Sequence, residues 1–175
     1  MLKNAKFEKI SFEEFKKGYE KKHPSLKPDA MEEKARKLYE EIKLPKRATK
    51  GSAGYDFFLV EDLEIPGGSI TDALMTGIRC KMRDDIVLML YPRSGLGFKY
   101  GLSLINTTGV IDSDYYGAKN EGHIMLKLKN PSKETIKLKK DDAIMQGVFL
   151  PFFVTDDDNT NGERTGGFGS TSQNS

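Results

Sequence analysis

The sequence predicts a mostly β protein, an antiparallel barrel or sandwich of many short strands, with helices near the start of the chain. Three observations lead to this prediction. Two amphipathic segments with helix-start signals precede residue 45, short apolar or alternating runs separated by Gly, Pro, Asn and Asp follow it, and the residues after position 154 are almost wholly polar. We therefore divide the chain into an N-terminal helical extension (residues 1–44), a β domain (45–154) and a C-terminal arm (155–175).

Length and composition exclude several classes of protein. A chain of 175 residues can form one substantial core with a small appendage. The lone Cys80 leaves no disulfide framework and no thiolate metal cage, and it fits a reducing compartment. No apolar run reaches the roughly 18–20 residues of a bilayer span, and the first residues lack the apolar core of a signal peptide. We expect a cytoplasmic protein, in a bacterium or a phage-infected cell, with no membrane partner.

The charge is unevenly distributed along the chain. Residues 1–50 carry 15 Lys and Arg against 9 Asp and Glu, whereas the remainder carries 13 against 17. A basic extension is a weak indication of an acidic partner. We interpret the extension first as a cap that packs on the β domain and second as a docking surface for a regulatory protein.

Two segments of the extension carry helix-start signals. In residues 10–22, Ser11 and Glu14 have the spacing of a capping box, and Asp29 and Glu32 repeat it in the second segment. The second segment also places four apolar residues on one helical face, namely Met31, Ala35, Leu38 and Ile42. Because HPSLKP separates the two segments, they predict a helical hairpin.

The β domain is predicted from short runs of strand-forming residues. These runs are YDFFLV, TGIRCKM, IVLMLY, LSLI, HIMLKLK, TIKL and MQGVFLPFF. The arm that follows has Phe168 as its only large apolar residue, so burial cannot offset the entropy of ordering it. We expect the arm to be mobile on its own.

The segment PRSGLGFKYG, residues 92–101, has the composition of a phosphate site. Arg93 offers a charged fork and Ser94 a hydroxyl, beside Gly95, which leaves backbone N–H groups approachable. The alternative interpretation is a tight turn with an exposed arginine.

The arm segment RTGGFGSTS, residues 164–172, repeats this combination and adds an aromatic ring. Arg164, Ser170 and Thr171 suit phosphates, and Phe168 suits a base, so the arm can close over a nucleotide. The alternative is a disordered Gly/Ser tail.

The segment GVIDSDYYG, residues 109–117, combines acids with aromatic rings. Asp112 on a rigid hairpin can orient and deprotonate a water molecule, and the Tyr115 ring can lie against a sugar. The alternative is a β-turn in which Asp112 and Asp114 bond to their own backbone.

These segments occur together and in order, and in this respect the sequence resembles the trimeric dUTP pyrophosphatases (dUTPases). The resemblance extends over about residues 42–172. The five motifs of that family are matched by AGYDF (53–57), PRSGLG (92–97), NTTGVIDSDYYG (106–117), DDAIMQ (141–146) and RTGGFGSTS (164–172).

The resemblance implies a jelly-roll-like antiparallel β-barrel that trimerises, with three active sites at subunit interfaces, each assembled from different chains. It implies hydrolysis of dUTP to dUMP and pyrophosphate, which limits uracil incorporation into DNA and supplies dUMP. It also implies a Mg²⁺ cofactor held by phosphates and waters, with no direct protein ligand. We expect no direct nucleic-acid partner.

The resemblance also implies a role for individual residues. Asp112 matches the carboxylate that activates the attacking water, Tyr115 the ring against deoxyribose, and Asp56 an acid that supports Arg93 and the water network near the metal. The remaining substrate contacts are the uracil-reading hairpin (Asn106, Gly109), the phosphate-binding stretch (Arg93, Ser94, Gly95), Gln146 from a second chain, and the arm (Arg164, Phe168, Gly169, Ser170, Thr171).

The sequence departs from the family pattern in motif four, where Asp141 and Ala143 stand in place of a glycine and a basic residue. Residues 118–122, AKNEG, resemble an insertion in a hairpin loop. Two alternatives remain. One is dCTP deaminase, which shares the fold but needs a glutamate where Lys127 stands. The other is a dUTPase-like module whose main role is to bind a regulatory protein.

Overall fold

The computed structural model describes residues 4–162 together with Arg164 and Gly166, and these residues form the predicted mostly β, jelly-roll-like fold with a helical extension. The helices are α1 (Phe12–Lys22), α2 (Pro28–Glu40) and α3 (Ser94–Tyr100), with a 3-10 helix over Ser113–Gly117. None of the described helices has both the length and the apolar composition that crossing a membrane requires.

The strands are mostly short, as the frequent Gly, Pro and Asn residues between the apolar runs predict. They are β1 (Ala5–Lys9), β2 (Lys46–Arg47), β3 (Tyr55–Phe58), β4 (Leu63–Ile65), β5 (Leu74–Met75), β6 (Ile78–Met82), β7 (Ile86–Pro92), β8 (Ser103–Leu104), β9 (Gly109–Ile111), β10 (Met125–Leu126), β11 (Leu128–Lys129), β12 (Ile136–Leu138) and β13 (Ala143–Pro151).

Five of these strands form one antiparallel sheet in the order β2-β3-β13-β7-β9. The register between β13 and β7 runs from Met145 opposite Pro92 to Pro151 opposite Ile86. The other strands pair two by two, β1 with β6, β4 with β12, β5 with β10 and β8 with β11. The long pairing of β13 with β7 fixes the end of the sheet from which residue 93 emerges.

The two predicted helices are present, but only one begins where the capping pattern places it. The Ser11 Oγ accepts a hydrogen bond from Glu14 N at 3.2 Å, as predicted. The prediction for Asp29 was wrong, because α2 begins at Pro28 without a side-chain cap. Proline suits the first helical position since its φ is fixed and its missing N–H has no helical partner there.

The extension packs on the β domain through a shared core. Phe15 of α1 and Ala35 of α2 are fully buried in the same cluster as Phe57 and Ile124 of the β domain. Burial of such apolar surface stabilises the fold by roughly 25 cal/mol per Å². The extension therefore packs on the β domain, and its use as a docking surface stays a prediction.

The sequence analysis did not predict several of the observed elements, β1 and α3 among them. β1 lies within the extension that we expected to be helical, and its Phe7 ring contacts the rings of Tyr55, Phe57 and Phe149 at centroid distances of 5.4, 5.5 and 5.5 Å. The helix α3 follows Arg93, where the sequence analysis placed no helix, despite the low helix propensity of its two glycines.

Candidate active site

Residues of three different motifs meet at one end of the five-stranded sheet. Gln146 of β13 lies between Asp56 of β3 and Tyr91 of β7, and Arg93 N donates to the Ile144 carbonyl at 3.3 Å. The guanidinium Nε of Arg93 lies 3.4 Å from Asp56 Oδ1, which is the predicted support of the arginine by this acid. Gln146 therefore lies near Arg93 of its own chain, and a second chain is not needed to bring these two residues together.

Gly54 is a member of this end of the sheet that the sequence analysis did not single out. A Cβ at this position would lie 2.5 Å from the Gln146 Oε1 atom. The side chain of Gln146 can therefore lie across residue 54 only because that residue is glycine.

Arg93 also starts the turn that carries the predicted phosphate-binding residues. Its carbonyl oxygen accepts hydrogen bonds from Leu96 N at 3.1 Å and Gly97 N at 3.0 Å, so Ser94 and Gly95 lie in the first turn of α3. The Arg93 side chain is 44% exposed, beside an open cleft of about 330 Å³ that Gly95 also lines. A charged fork and a hydroxyl thus lie together at the surface, in an arrangement suited to an anionic ligand.

Asp141, the unusual acid of motif four, and the adjacent Asp142 are both engaged in the turn before β13. Asp141 has a positive φ of 70° and pairs with Lys43 of the extension at 2.8 Å. Asp142 accepts a hydrogen bond from Lys139 N at 2.7 Å. Both carboxylates are therefore bound by these partners, and Gln146 keeps its position beside Asp56.

The hairpin predicted to read a base is tightly shaped around a cleft. Thr107, with a φ of 68°, turns the chain opposite Leu104, and the Thr108 hydroxyl donates to the Leu90 carbonyl at 2.9 Å. Gly109 is in close contact with Leu90, since a Cβ there would come within 3.0 Å of it. The adjacent cleft has a volume of about 370 Å³ and is mainly apolar, with Ala73, Leu90, Leu104, Ile105, Asn106, Gly109, Val110, Ile111, Met125, Leu126, Lys127 and Met145 in its lining.

Such a cleft suits a flat base, because apolar walls bury its faces while the hairpin offers polar edges. Asn106 and Gly109, the residues that we expect to read uracil, both line it. Lys127 lines it as well, at the position where a deaminase needs an acid to move protons to the departing amine. An ammonium group cannot take that role, which argues against the deaminase alternative.

Two carboxylates at the end of β9 share one arginine of the arm. The Arg164 Nη2 donates to Asp112 Oδ2 at 2.6 Å, and its Nε donates to Asp114 Oδ1 at 2.8 Å. Asp112 makes no side-chain bond to the backbone of the following 3-10 helix. The two acids thus face a cation instead of closing a turn on their own backbone, and Asp112, half-exposed, keeps access to solvent.

Tyr115 is held rigidly beneath this ion pair. The ring is buried, its hydroxyl donates to the His123 carbonyl at 2.8 Å, and Asn120 Nδ2 donates to the same hydroxyl oxygen at 2.8 Å. Burial raises the pKa of the Tyr115 phenol. The Arg164 guanidinium lies 5.6 Å from the ring centroid.

Within one chain the two groups of site residues are far apart. Strand β9 runs antiparallel to β7 with Ile111 opposite Leu88, so Asp112 leaves the sheet towards the start of β7 while Arg93 follows its end. At about 3.3 Å per residue, the backbone positions of Asp112 and Arg93 are separated by roughly 20 Å along the strands. Asp112 and Arg93 of one chain thus lie towards opposite ends of β7.

The remaining predicted site residues, Phe168, Gly169, Ser170 and Thr171, lie outside the described residues. Among the residues that are described, no three His, Cys, Asp or Glu side chains are grouped to hold a metal ion. The carboxylate of Asp56 can accept hydrogen bonds from the waters of a hard cation such as Mg²⁺, which keeps most of its ligands as waters and phosphate oxygens.

Comparison with known proteins points to a single family. The family model described as dUTPase matches residues 40–172. The deoxyuridine 5'-triphosphate nucleotidohydrolase of Lactococcus lactis is 44% identical over 133 residues, which cover 74% of this chain and 88% of the relative. The corresponding protein of Nautilia profundicola is 36% identical over 146 residues, with 81% and 99% covered.

Solved structures show the same fold. The crystal structure of the dUTPase from Streptococcus mutans has 45% sequence identity and a TM-score of 0.59, with 65% of this chain and 88% of that chain covered. A mutant dUTPase from phage phi11 of S. aureus, in which a structural Mg(II) ion is coordinated, has 22% identity and a TM-score of 0.58, with 71% and 94% covered.

Proposed function

This chain belongs to the dUTPase family and hydrolyses dUTP to dUMP and pyrophosphate, and we propose that Asp112 is the base of that reaction. The observation that carries this role is the position of Asp112 at the end of β9, solvent-accessible and held by Arg164. The carboxylate takes a proton from a water molecule, and that water attacks the α-phosphorus of dUTP. A base within about 3 Å of its water meets the geometric requirement for general base catalysis.

The phosphates are bound by the cationic and polar groups at the end of the sheet. Arg93, Ser94, Gly95 and Gln146 contact phosphate oxygens, and Asp56 orients the Arg93 guanidinium through their ion pair. Attack at a triphosphate needs its charge neutralised and the water aligned, and preorganised donors supply both. Arg164 leaves the two acids and joins the phosphates with Gly169, Ser170 and Thr171 of the arm, while Phe168 covers the uracil.

The base and the sugar are selected on the other side of the site. Asn106 and the backbone at Gly109 read the edge of uracil from the wall of the apolar cleft. An exocyclic amine or a 5-methyl group would meet an unmatched polar group or the hairpin itself. The buried Tyr115 ring packs against deoxyribose and leaves no room for a 2′-hydroxyl.

Mg²⁺ is part of this proposal as the cofactor bound with the substrate. When bound, the ion neutralises phosphate charge and polarises the phosphorus centre. The triphosphate and waters would hold it, with Asp56 orienting waters near it. A cytoplasmic location also belongs to the proposal, because the free and buried Cys80 fits a reducing compartment.

Homotrimers with shared sites complete the proposal, and the separation of Asp112 from Arg93 supports them. Each site takes Asp112 from one chain and Arg93 from a neighbour. Equal mixing of Asp112→Asn and Arg93→Ala chains in refolded or co-expressed trimers therefore restores about one quarter of the wild-type activity, since a quarter of the sites receive both intact residues. Mixtures as inactive as the two variants alone would show that each site uses a single chain.

A nucleotide panel tests the substrate and the cofactor. We would measure pyrophosphate and ammonia release from dUTP, dCTP, dTTP and UTP, each with and without Mg²⁺. Pyrophosphate from dUTP, dependent on Mg²⁺, is the expected result. Ammonia from dCTP would instead place the chain with the deaminases.

A further inference from the structure

We propose that the N-terminal extension positions Tyr115 through residues 118–122, so that the extension sharpens the selection of deoxyribose over ribose. Glu121 and Ser11 are the positioning residues, because they join the extension to this loop. The proposal rests on the proposed contact of Tyr115 with the sugar.

The loop holds the hydroxyl end of Tyr115 directly. Asn120 Nδ2 donates to the Tyr115 hydroxyl oxygen at 2.8 Å and reaches the His123 carbonyl, which accepts the phenolic proton, at 3.4 Å. The Asn120 amide and the His123 carbonyl thus determine where the phenol oxygen lies. A change in the path of this loop moves the ring with it.

The loop also presses against the backbone of the same 3-10 helix. A Cβ at Gly122 would lie 2.6 Å from the Tyr115 carbonyl oxygen and 2.8 Å from the Tyr116 Cα, and Gly122 has a φ of 71°. Glu121 beside it has a φ of 56°, a conformation that costs free energy in a residue other than glycine. Such backbone persists only where surrounding contacts hold it.

Two of those contacts come from the extension. Ser11 N donates to Glu121 Oε2 at 2.7 Å, and Ser11 Oγ donates to Glu121 Oε1 at 2.6 Å. Glu121 therefore completes the N-terminal cap of α1 by accepting the bond that Glu14 would accept in a capping box. Both oxygens of one carboxylate hold the loop at the start of the helix.

A second contact supports the neighbouring tyrosine from β1. The Tyr116 hydroxyl donates to Glu8 Oε2 at 2.7 Å, and Arg79 lies 4.5 Å from the Tyr116 ring centroid while it pairs with Glu8 at 3.4 Å. The extension thus contacts the 3-10 helix on one side and the loop behind it on the other. Tyr115 lies between these two attachments.

The test is the preference for dUTP over UTP, measured as the ratio of their kcat/KM values. Glu121→Ala and Ser11→Ala should each lower this ratio by about three- to tenfold, the effect of losing one or two hydrogen bonds to a charged group. Glu121→Gln, which keeps one acceptor for Ser11, should lie between Glu121→Ala and the wild type.

Glu61→Ala is the matched control. Glu61 contacts Lys22 and His23 at the other end of α1, so its removal also breaks a contact between extension and β domain but leaves the loop intact. The control should keep the wild-type ratio. Melting temperatures of all variants separate a loss of stability from a loss of selectivity.

Tyr115→Ala distinguishes the proposed sugar contact of Tyr115 from the proposed role of the extension. If this variant keeps the wild-type preference, the sugar role of Tyr115 is wrong and the proposal falls with it. If Tyr115→Ala loses the preference while Glu121→Ala and Ser11→Ala keep it, the role of the extension alone is refuted, even when those variants melt at lower temperatures. A lower ratio in both Glu121→Ala and Ser11→Ala, with the wild-type ratio kept in Glu61→Ala, supports the role of the extension.

Discussion

The two halves of the proposed active site are built in different ways. The phosphate half lies at the end of a five-stranded sheet, where the register of β3, β13 and β7 brings Asp56, Gln146 and Arg93 together. The half around Asp112 lies on a short 3-10 helix, held by side chains from a loop, from the extension and from the arm. The first is determined by backbone pairing and the second by side-chain contacts between distant segments.

The phosphate half is therefore fixed in one arrangement, whereas the contacts of the other half can be changed singly. A strand register cannot slip without reversing which side chains face the core, so the phosphate half has one arrangement. The contacts around Asp112 and Tyr115 can be altered one at a time, because each depends on one or two polar groups. Substitutions in the two halves should therefore have different signatures, and the following experiments examine this contrast.

The largest effect is expected for Asp112→Asn. Loss of the proposed base should reduce turnover by at least about 100-fold while nucleotide binding stays near wild type, because the amide keeps the shape but cannot accept the proton. Pyrophosphate release and calorimetric binding of a non-hydrolysable dUTP analogue measure the two quantities. Asp114→Asn is the matched control, since Asp114 pairs with the same arginine. Turnover lost equally in both variants would show that Arg164 binding, and not base catalysis, explains the effect.

A stability effect of intermediate size is expected from His123, which supports the Asp112 half. Burial lowers its pKa from 6.5 to about 4, and its Nε2 accepts a hydrogen bond from Gly77 N at 3.0 Å. Between these pH values the unfolded chain binds a proton that the folded chain does not, so the free energy of unfolding falls as the pH is lowered. The loss should reach about 3 kcal/mol near pH 4.

Urea denaturation from pH 7 to 4 checks this expectation. His123→Gln should have a shallower pH dependence over this window, because the residue no longer titrates. Parallel curves for the wild type and His123→Gln would refute the assignment.

The smallest effect is expected in the phosphate half, from Gly54→Ala. The added methyl group must displace the Gln146 amide, since its Cβ would lie 2.5 Å from Oε1. We expect kcat/KM for dUTP to fall about tenfold, the effect of one lost polar contact to an anion. Gly51→Ala, in the same connection but with no atom of the described residues within 4 Å of the new Cβ, is the control. An equal loss in both variants would indicate a general effect on the loop.

The sequence predicts the phosphate half better than the other half. The apolar run of β7 is continuous and β13 is long, and long pairing of such strands leaves few alternative arrangements. β1 was missed because Phe7 is its only large apolar residue, and α3 because two glycines disfavour a helix. Each is stabilised by tertiary contacts that override a weak local pattern.

The contacts that hold the loop behind Tyr115 could not be predicted from local sequence patterns. The capping box at Ser11 was predicted from the spacing of Glu14, yet the carboxylate that binds Ser11 N comes from Glu121, 110 residues later. Only the folded chain brings these two residues together. The signal available in the sequence was the unusual AKNEG segment, which we interpreted as a longer loop.

The bridge that Arg164 forms between Asp112 and Asp114 has a consequence for the response of the enzyme to salt. With the guanidinium in place the three side chains carry a net charge of −1, and without it −2, at the point where a polyanionic substrate arrives. Screening by salt weakens this repulsion over a Debye length of about 8 Å at physiological ionic strength. Arg164→Gln should therefore associate with dUTP more slowly than the wild type at low ionic strength, and added salt should narrow the gap.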